Sequence, residues 1–318
     1  MSRNPYVFVV GCPRSGTSLL RRILDAHPEV AMVPETHWIP ELFKARTGLT
    51  AEGIVTRKLV PVLLAHPKFA KLGFDADALL SLANGKRRTY AEFVTALFDA
   101  YGAARGKQLV GDKTPGYARE IATLHGLWPQ ARFVHLIRDG RDVCLSALGW
   151  ERKAADFARR FPTWRDDRVT TVALWWRWHV ETAQEQGAIL GRALYNELHY
   201  EDLVREPELA CRGLCDFLAL PFHDAMLRFH EGRTRPTPGL SAKRSWLPIT
   251  AGLRDWRTEL PADDVERIEG AAGPLLERLG YGRASPEVAP DRLAAAARVE
   301  SAFRNRLPRP GEPLPTYW

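Results

Sequence analysis

A glycine-containing loop, set between a short apolar run and an amphipathic run, constrains the fold of this 318-residue chain most strongly. Residues 6–10 read Tyr-Val-Phe-Val-Val, a composition typical of a buried parallel strand. Residues 17–26 have the apolar spacing of a helix, which Pro28 ends. The loop between them reads Gly11-Cys-Pro-Arg-Ser-Gly16. This order of strand, glycine loop and helix predicts an α/β fold.

The loop also has the composition of an anion-binding site. Glycines allow successive backbone N–H groups to face one anion, and the start of the next helix adds unpaired N–H groups. Arg14 supplies a forked cation suited to phosphate or sulfate, and Thr17 and Ser18 supply hydroxyl groups. The two glycines have the Walker A spacing, but Thr17 occupies the position of the Walker lysine. The loop therefore favours a nucleotide without a γ-phosphate.

The rest of the chain alternates predicted strands and helices. This pattern predicts a P-loop-type, doubly wound parallel sheet flanked by helices, in a single domain over residues 1–318. Residues 40–105 read as a helical insertion that caps the sheet, and residues 283–318 as a proline-rich C-terminal extension. Further strands are predicted at 108–111, 132–137 and 193–200, and further helices at 143–148, 171–190, 207–218 and 291–303.

Composition limits the partners. The net charge of +7 is spread along the chain, which favours a small anionic ligand over a nucleic acid. The four cysteines match no zinc or disulfide spacing, so we expect buried free thiols and no metal: Cys12, Cys144, Cys211 and Cys215. No stretch has the length of a membrane helix or the pattern of a signal peptide. A cytoplasmic protein without membrane insertion is therefore expected.

The loop Pro13-Arg-Ser-Gly-Thr-Ser18, followed by Leu-Leu and by Asp25-Ala-His-Pro28, resembles the 5′-phosphosulfate loop of the sulfotransferase superfamily. The form with arginine looks most like the branch that contains tyrosylprotein sulfotransferases and many bacterial sulfotransferases. The resemblance covers residues 5–260 except the insertion, and it implies PAPS (3′-phosphoadenosine 5′-phosphosulfate) as cosubstrate. It also implies five 5′-phosphosulfate ligands: Arg14, Ser15, Gly16, Thr17 and Ser18.

A second segment resembles the family's 3′-phosphate site. Arg138 follows the strand predicted at 132–137, and Ser146 lies eight residues later. Open α/β sheets bind ligands at the carboxyl ends of their strands, where Arg138 lies. The resemblance also places Tyr200, Lys243 and Arg244 at the nucleotide, the last two in a basic loop before Gly252-Leu-Arg-Asp-Trp256.

Sulfuryl transfer is an in-line displacement that needs a base for the acceptor and cations for the developing charge. The resemblance assigns the base to Glu35 and a catalytic cation to Lys113. His37, two residues after Glu35, is the alternative base, and we expect Arg14 of the loop to act as a second catalytic cation. Many cytosolic members carry a histidine base two residues after this lysine. Pro115 stands there in this chain, which supports Glu35. Side-chain cations make a metal unnecessary.

The expected activity is transfer from PAPS to a hydroxyl, less readily an amine, of a small-molecule, glycan or lipid acceptor, with PAP (3′,5′-ADP) as product. The sequence does not identify the acceptor, and it leaves sugars, lipids, phenols and peptides open. The missing signal peptide weighs against tyrosines of secreted proteins. One alternative is a P-loop nucleotide kinase or NTPase, which the missing lysine disfavours. The other is a non-catalytic anion-binding module, which the presence of both Glu35 and Lys113 disfavours.

Overall fold

In a computed structural model the described residues are 2–84, 87–231, 248–250, 252, 254–284 and 287–307. They contain a five-stranded, all-parallel sheet in the order β2-β3-β1-β4-β5. The strands are β1 (Val7–Val10), β2 (Val30–Val33), β3 (Leu109–Lys113), β4 (Arg132–Ile137) and β5 (Tyr195–His199). Every residue of β1 and β2 is buried, because helices cover both faces of the sheet. The predicted doubly wound parallel sheet is confirmed.

Helices α1 to α7 are α1 (Thr17–Ala26), α2 (Trp38–Lys44), α3 (Leu59–Ala65), α4 (Ala76–Asn84), α5 (Tyr90–Ala103), α6 (Ile121–Leu127) and α7 (Gly140–Leu148). Helices α8 to α14 are α8 (Glu151–Arg160), α9 (Arg168–Leu190), α10 (Tyr200–Arg205), α11 (Pro207–Leu218), α12 (Trp256–Glu259), α13 (Ala262–Arg278) and α14 (Pro290–Arg304). Short 3₁₀ helices lie at Phe69–Leu72, Pro115–Arg119, Pro162–Arg165 and Asp224–Met226. None of these helices combines the length and hydrophobicity that crossing a bilayer requires.

The strand order determines where a ligand can bind. From β1 the chain passes over β3 to the edge strand β2, returns through β3, and then crosses to β4 on the other side of β1. The connections after β1 and β4 therefore diverge to opposite faces of the sheet, and a crevice opens at the carboxyl ends of these strands. The glycine loop follows β1 and Arg138 follows β4, so both predicted anion-binding segments border this crevice.

Most predicted elements are present, with instructive differences at their boundaries. The helices predicted at 17–26 and 207–218 have the predicted bounds. Strand β2 was not predicted, because four apolar residues carry no periodicity that separates a strand from a loop. The helix predicted from residue 143 begins at Gly140, because the Asp139 carboxylate caps it by accepting a hydrogen bond from the Arg141 N–H at 2.9 Å.

Residues 38–103, which contain α2 to α5, fill one side of the core through large aromatic side chains. Trp38, Phe69 and Phe93 are fully buried there, and the Trp38 and Phe69 rings lie 5.5 Å apart, edge to face. The hydroxyl of Tyr90 donates a hydrogen bond to the Ile39 carbonyl at 2.9 Å. This packing holds the predicted insertion against the residues that follow β2.

A buried ion-pair network ties the connection after β4 to α13. Arg141 donates from Nε and Nη2 to the two carboxylate oxygens of Asp139 at 3.0 and 2.8 Å. Its Nη1 donates to Glu269 at 2.7 Å, and the Trp256 indole N–H donates to Asp139 at 3.1 Å. The guanidinium of Arg141 also lies 3.9 Å from the centre of the Trp256 ring. The network therefore determines the position of the backbone next to Arg138.

We expect Arg141→Met to lower the free energy of unfolding by about 3–5 kcal/mol, because it leaves two buried carboxylates without their partner. Arg212→Met is the matched control, since the Arg212–Glu208 pair at 2.8 Å is more than half exposed. The free energy of unfolding of this control should fall by at most about 1 kcal/mol. Urea unfolding followed by circular dichroism measures both, and equal losses would contradict a structural role for the network.

Candidate active site

The glycines of the loop let the chain pass very close to neighbouring elements. Gly16 has φ +95°, and a Cβ at this position would lie 2.5 Å from the Tyr200 ring. A Cβ on Gly11 would lie 2.5 Å from the carbonyl oxygen of Leu136 in β4. Only glycine allows both approaches. The loop is therefore pressed against β4 and against the start of α10, and Tyr200 forms one wall of the site.

Arg14 occupies an unusual backbone conformation within this loop. Its φ is +82°, which is rare outside glycine and costs energy that the surrounding contacts must offset. Its Nε donates to the Ser146 hydroxyl at 2.8 Å, and its guanidinium lies 5.1 Å from the centre of the Trp150 ring. Burial, together with the nearby cations Arg254 and Arg138, lowers the pKa of Arg14 to about 10. Arg14 remains charged at neutral pH.

Arg138 points into the same space from the end of β4. Its guanidinium lies 4.3 Å from the centre of the Tyr200 ring, and its Nη2 donates to Asp142 at 3.1 Å. Asp142 in turn accepts a hydrogen bond from the Trp256 N–H at 3.0 Å. Arg138 is only 7% exposed, and its Nε makes no hydrogen bond to any described residue. An anion in the crevice can take up this unused donor.

The remaining loop residues contribute hydroxyl groups. The Ser15 hydroxyl is buried and has no hydrogen-bond partner among the described residues. Thr17 is buried at the first position of α1, and Gly16 immediately precedes this helix. The Ser18 hydroxyl lies 3.4 Å from the Lys113 ammonium. A helix start, unused hydroxyls and the Arg14 cation together make a site for a phosphate or sulfate group.

A second cluster lies where β2 and β3 end. Lys113 Nζ lies 2.5 Å from Glu35 Oε1, and the other oxygen of Glu35 lies 3.3 Å from His37 Nε2. Lys68, from the insertion, approaches that same oxygen at 3.5 Å. Glu35 thus faces three basic side chains, while 30% of its side chain remains exposed. Its carboxylate is both accessible and strongly polarised.

The surroundings shift the pKa of each member of this cluster. Burial of Glu35 would raise its pKa, but the Lys113 ammonium and the hydrogen bond with His37 hold the pKa well below its ordinary value. Burial lowers the pKa of Lys113, and the carboxylate of Glu35 opposes that shift. Burial likewise lowers the pKa of His37, against the effect of Glu35. At neutral pH Glu35 is an anion and His37 is neutral.

A buried hydrogen-bond network holds the segment that carries Glu35. The Thr36 hydroxyl donates to Asp112 Oδ2 at 2.8 Å and lies 2.6 Å from the Tyr117 hydroxyl. The Thr36 N–H donates to the Thr114 hydroxyl at 3.0 Å. Because Thr36 separates Glu35 from His37, these bonds to β3 and the residues after it set the position of both. Asp112 and Thr36 act as positioning residues.

The structure brings together most of the predicted site residues. Arg14 meets Ser146, Arg138 meets Tyr200, and Lys113 joins Ser18 to Glu35. Lys243 and Arg244 lie outside the described residues.

Four residues that contact or position the site were not predicted from the sequence: Lys68, Thr36, Asp112 and Arg254. Arg254 sits in the Gly252-Leu-Arg-Asp-Trp256 stretch beside the predicted basic loop, so its charge was available as a signal. Lys68 carried no signal, because only tertiary packing brings the insertion to Glu35.

All four cysteines are buried free thiols, as predicted. Burial raises the pKa of Cys12 and Cys144 well above ordinary values, so neither thiol is poised for reaction. Among the described residues no group of three or more histidine, cysteine or acidic side chains has the arrangement of a metal site. The chemistry available from these residues is anion binding by arginines and proton abstraction by a carboxylate next to a lysine.

Comparison with known proteins identifies relatives over most of the chain. The family model described as "Sulfotransferase family" matches residues 5–224. The chain is 28% identical over 285 residues to protein-tyrosine sulfotransferase 1 of Danio rerio, a match that covers 87% of this chain and 72% of that protein. It is 26% identical over 310 residues to protein-tyrosine sulfotransferase A of Caenorhabditis elegans, covering 95% and 74%.

Two solved structures share the fold. The sulfotransferase domain from the curacin biosynthetic pathway is 21% identical, with a TM-score of 0.56, and the match covers 88% of this chain and 99% of that one. The sulfotransferase domain from the Synechococcus PCC 7002 olefin synthase is 22% identical, with a TM-score of 0.50, covering 96% and 97%. At these identities the likeness establishes the arrangement of the sheet and helices.

The buried Asp112 carboxyl predicts an unusual dependence of stability on pH. Burial raises its pKa to about 7 from an ordinary value of 3.8, although the Thr114 and Thr36 hydroxyls oppose the shift. Between these values the folded chain binds more protons than the unfolded chain. The stability due to this group is therefore full below about pH 4 and is lost as the pH rises to about 7, by up to roughly 4 kcal/mol.

Asp112→Asn removes this titration and keeps an oxygen that can accept from Thr36. Its free energy of unfolding in urea should therefore fall less than that of the wild type between about pH 5 and about pH 8. Parallel pH profiles for the two proteins would show that the carboxyl at position 112 does not titrate in this range.

Proposed function

This chain belongs to the sulfotransferase family, and from that premise we propose that it transfers a sulfuryl group from PAPS to the phenolic hydroxyl of a tyrosine in a protein or peptide. One observation carries the proposal: Lys113 lies between Ser18 of the phosphate loop and the Glu35 carboxylate, at 3.4 and 2.5 Å. A candidate base and a candidate sulfuryl-donor site are thus joined through one ammonium group.

The two arginine segments account for the choice of nucleotide. Arg14 and the hydroxyls of the loop would hold the 5′-phosphosulfate, and Arg138 with Ser146 would hold the 3′-phosphate. The hydrogen bond between Arg14 and Ser146 supports this assignment, because it places the two segments next to each other. A kinase is disfavoured by Thr17, which stands where a Walker loop has its lysine, and by membership of this family.

The proposed reaction is a single in-line displacement. Glu35 takes the proton from the acceptor hydroxyl, whose oxygen forms a new bond to sulfur. The bond between sulfur and the bridging phosphate oxygen breaks, and PAP leaves with the electron pair. Lys113 and Arg14 stabilise the negative charge that develops on the sulfuryl and phosphate oxygens. No metal takes part in this scheme.

The ion pair between Glu35 and Lys113 has a consequence for this scheme. While the pair is closed, Lys113 keeps the pKa of Glu35 far too low for an effective base. If Lys113 turns toward the bound nucleotide, Glu35 loses its closest cation and its proton affinity rises. We therefore expect the carboxylate to become an effective base only after PAPS is bound.

The names of the relatives favour one of the acceptor classes that the sequence leaves open. The sequence alone favoured a small-molecule, glycan or lipid hydroxyl. The matched curated proteins from Danio rerio and Caenorhabditis elegans are named protein-tyrosine sulfotransferases, which favours a tyrosyl phenol in a protein or peptide. The open side of Glu35, bordered by Lys68 and His37, is the candidate entry for that hydroxyl.

The test combines binding and turnover. Calorimetric titration should show PAP binding that needs no Mg²⁺ and is much tighter than binding of ADP or ATP. With PAPS, peptides containing one tyrosine should be sulfated, while matched peptides with phenylalanine or serine at that position should not. Tight PAP binding with sulfation of sugars only would overturn the acceptor assignment. PAP binding no tighter than ADP would overturn the nucleotide assignment.

Glu35→Gln should lower kcat by roughly 10²–10⁴-fold, because glutamine preserves the shape of the side chain but cannot accept the proton. PAP affinity should stay within a few-fold of wild type, since Glu35 lies outside the arginine segments. His37→Gln is the matched control and should have a much smaller effect on kcat. A large loss in His37→Gln with normal kcat in Glu35→Gln would instead make His37 the base.

Arg138→Met should reduce the affinity for PAP by about 10- to 100-fold, the value of charged hydrogen bonds to a phosphate. Affinity for ADP, which lacks the 3′-phosphate, should change little. Arg205→Met is the control, because that side chain is 66% exposed and lies outside the crevice. Equal losses for PAP and ADP would show that Arg138 does not recognise the 3′-phosphate.

A further inference from the structure

Glu201 is an acidic residue beside the cations of the crevice, where its charge would repel an anionic ligand. It follows Tyr200 at the start of α10. Its Oε1 accepts a hydrogen bond from the Asp139 N–H at 3.0 Å, and its Oε2 accepts one from the Tyr281 hydroxyl at 2.8 Å. Neither donor is charged. The carboxylate is therefore engaged in two directional bonds, one of them to the backbone next to Arg138.

The bond from Asp139 lies where the pairing of two strands ends. Strands β4 and β5 pair up to the last residue of each. Beyond β4, the N–H of Asp139 belongs to the peptide group that joins this residue to Arg138. Glu201 supplies an acceptor for it there. Because Tyr200 precedes Glu201, the same bond holds the backbone of Arg138 beside that of Tyr200, whose ring centre lies 4.3 Å from the Arg138 guanidinium.

The second bond of Glu201 comes from the C-terminal part of the chain. Tyr281 follows α13, and its hydroxyl lies 3.1 Å from Nδ1 of His199, the last residue of β5. Because the single hydrogen of the hydroxyl goes to Glu201, Nδ1 of His199 is the donor in this contact. Burial and the carboxylate of Glu201 raise the pKa of Tyr281, so that it stays a donor at neutral pH.

These bonds act on a different part of Arg138 from the contacts described above. Asp142 accepts from the Arg138 guanidinium, and Arg141 holds the Asp139 side chain. Glu201 instead holds the peptide group from which the Arg138 side chain extends. Rotation of that peptide group would displace the guanidinium, and forked hydrogen bonds to a phosphate tolerate little displacement. The carboxylate can therefore support anion binding through geometry, although its charge opposes it.

We propose that Glu201 and Tyr281 are positioning residues for recognition of the 3′-phosphate, and that they act through Arg138 without contacting the nucleotide. Tyr281 orients the Glu201 carboxylate, and Glu201 orients the peptide group between Arg138 and Asp139. This inference rests on the proposed function, because it takes Arg138 as the ligand of the 3′-phosphate. It adds to that site a residue outside the range 5–224 that the family model matches.

The first test is Tyr281→Phe, which removes the hydroxyl and keeps the ring. Calorimetric titration of the full chain should show PAP affinity lower by about threefold to tenfold, the value of one hydrogen bond, and ADP affinity within about twofold of wild type. A general loss of stability would lower both affinities alike. Tyr195→Phe is the matched control: at the opposite end of β5, the Tyr195 hydroxyl likewise contacts a histidine, His135, at 2.6 Å and a glutamate, Glu197, at 2.9 Å. It should leave both affinities unchanged.

The second test is Glu201→Gln, which removes the negative charge and keeps the shape of the side chain. If the carboxylate acted on the ligand only through its charge, PAP affinity would rise. We expect it to fall by about threefold to tenfold, because the amide NH₂ of glutamine cannot accept one of the two hydrogen bonds. Asp202→Asn removes the same charge from the same helix at a side chain that is 52% exposed, and it should leave PAP affinity unchanged. A rise in Glu201→Gln would overturn the proposal.

A double variant tests whether the effect passes through Arg138. In an Arg138→Met background, Tyr281→Phe should cause no further loss of PAP affinity, because the side chain that it positions is absent. An undiminished further loss would overturn the proposal. A wild type that prefers PAP to ADP, with the same preference in Tyr281→Phe and Glu201→Gln, would overturn this inference alone. A wild type that binds PAP no tighter than ADP would overturn the nucleotide assignment, and this inference with it.

Discussion

The reversal of strand order beside β1 brings several cations to one edge of the sheet, and the rest of the site depends on how their repulsion is offset. Arg14 arrives on the loop after β1, Arg138 follows β4, and Arg254 lies close enough to lower the pKa of Arg14. Such a concentration of charge is costly in the unliganded protein. Asp142 offsets part of it by pairing with Arg138 at 3.1 Å, and a nucleotide with two separate anionic groups would offset the rest.

The carboxylates near the crevice are of two kinds, which differ in burial and, in the proposed reaction, in role. Asp139 and Glu269 are buried and fully engaged with Arg141, so they fix the backbone beside Arg138 without facing the ligand. Glu35 is partly exposed and pairs with Lys113, which also contacts Ser18 next to the glycine loop. A buried ion pair holds the backbone in place because breaking it costs much free energy. An ion pair that borders the crevice can instead open, so that one of its members contacts a ligand.

The sequence was sufficient to predict an element or a site residue wherever the local residue pattern is compatible with only one structure. The glycine loop, Arg138 at the end of β4 and the helix at Pro207–Leu218 could be predicted because each follows from residue spacing and from strand order. Strand β2 could not, since four apolar residues fit several structures. Lys68 and Asp112 were missed for another reason: their roles come from partners 33 and 76 residues away along the chain.

The proposed nucleotide site and the proposed acceptor site are built from different parts of the chain, and this separation follows from the same topology. The proposed PAPS ligands lie on connections of the parallel sheet, whose geometry the strand register restricts. The open side of Glu35 is bordered instead by Lys68, which belongs to helical residues packed outside the sheet through Trp38 and Phe69. Changes in those helices can alter which hydroxyl reaches Glu35 while the register of β1, β3 and β4 stays the same. In the proposed reaction the Glu35 carboxylate is therefore the point where a constrained donor site meets an adaptable acceptor site, and Lys113, which contacts both Glu35 and Ser18, connects the two.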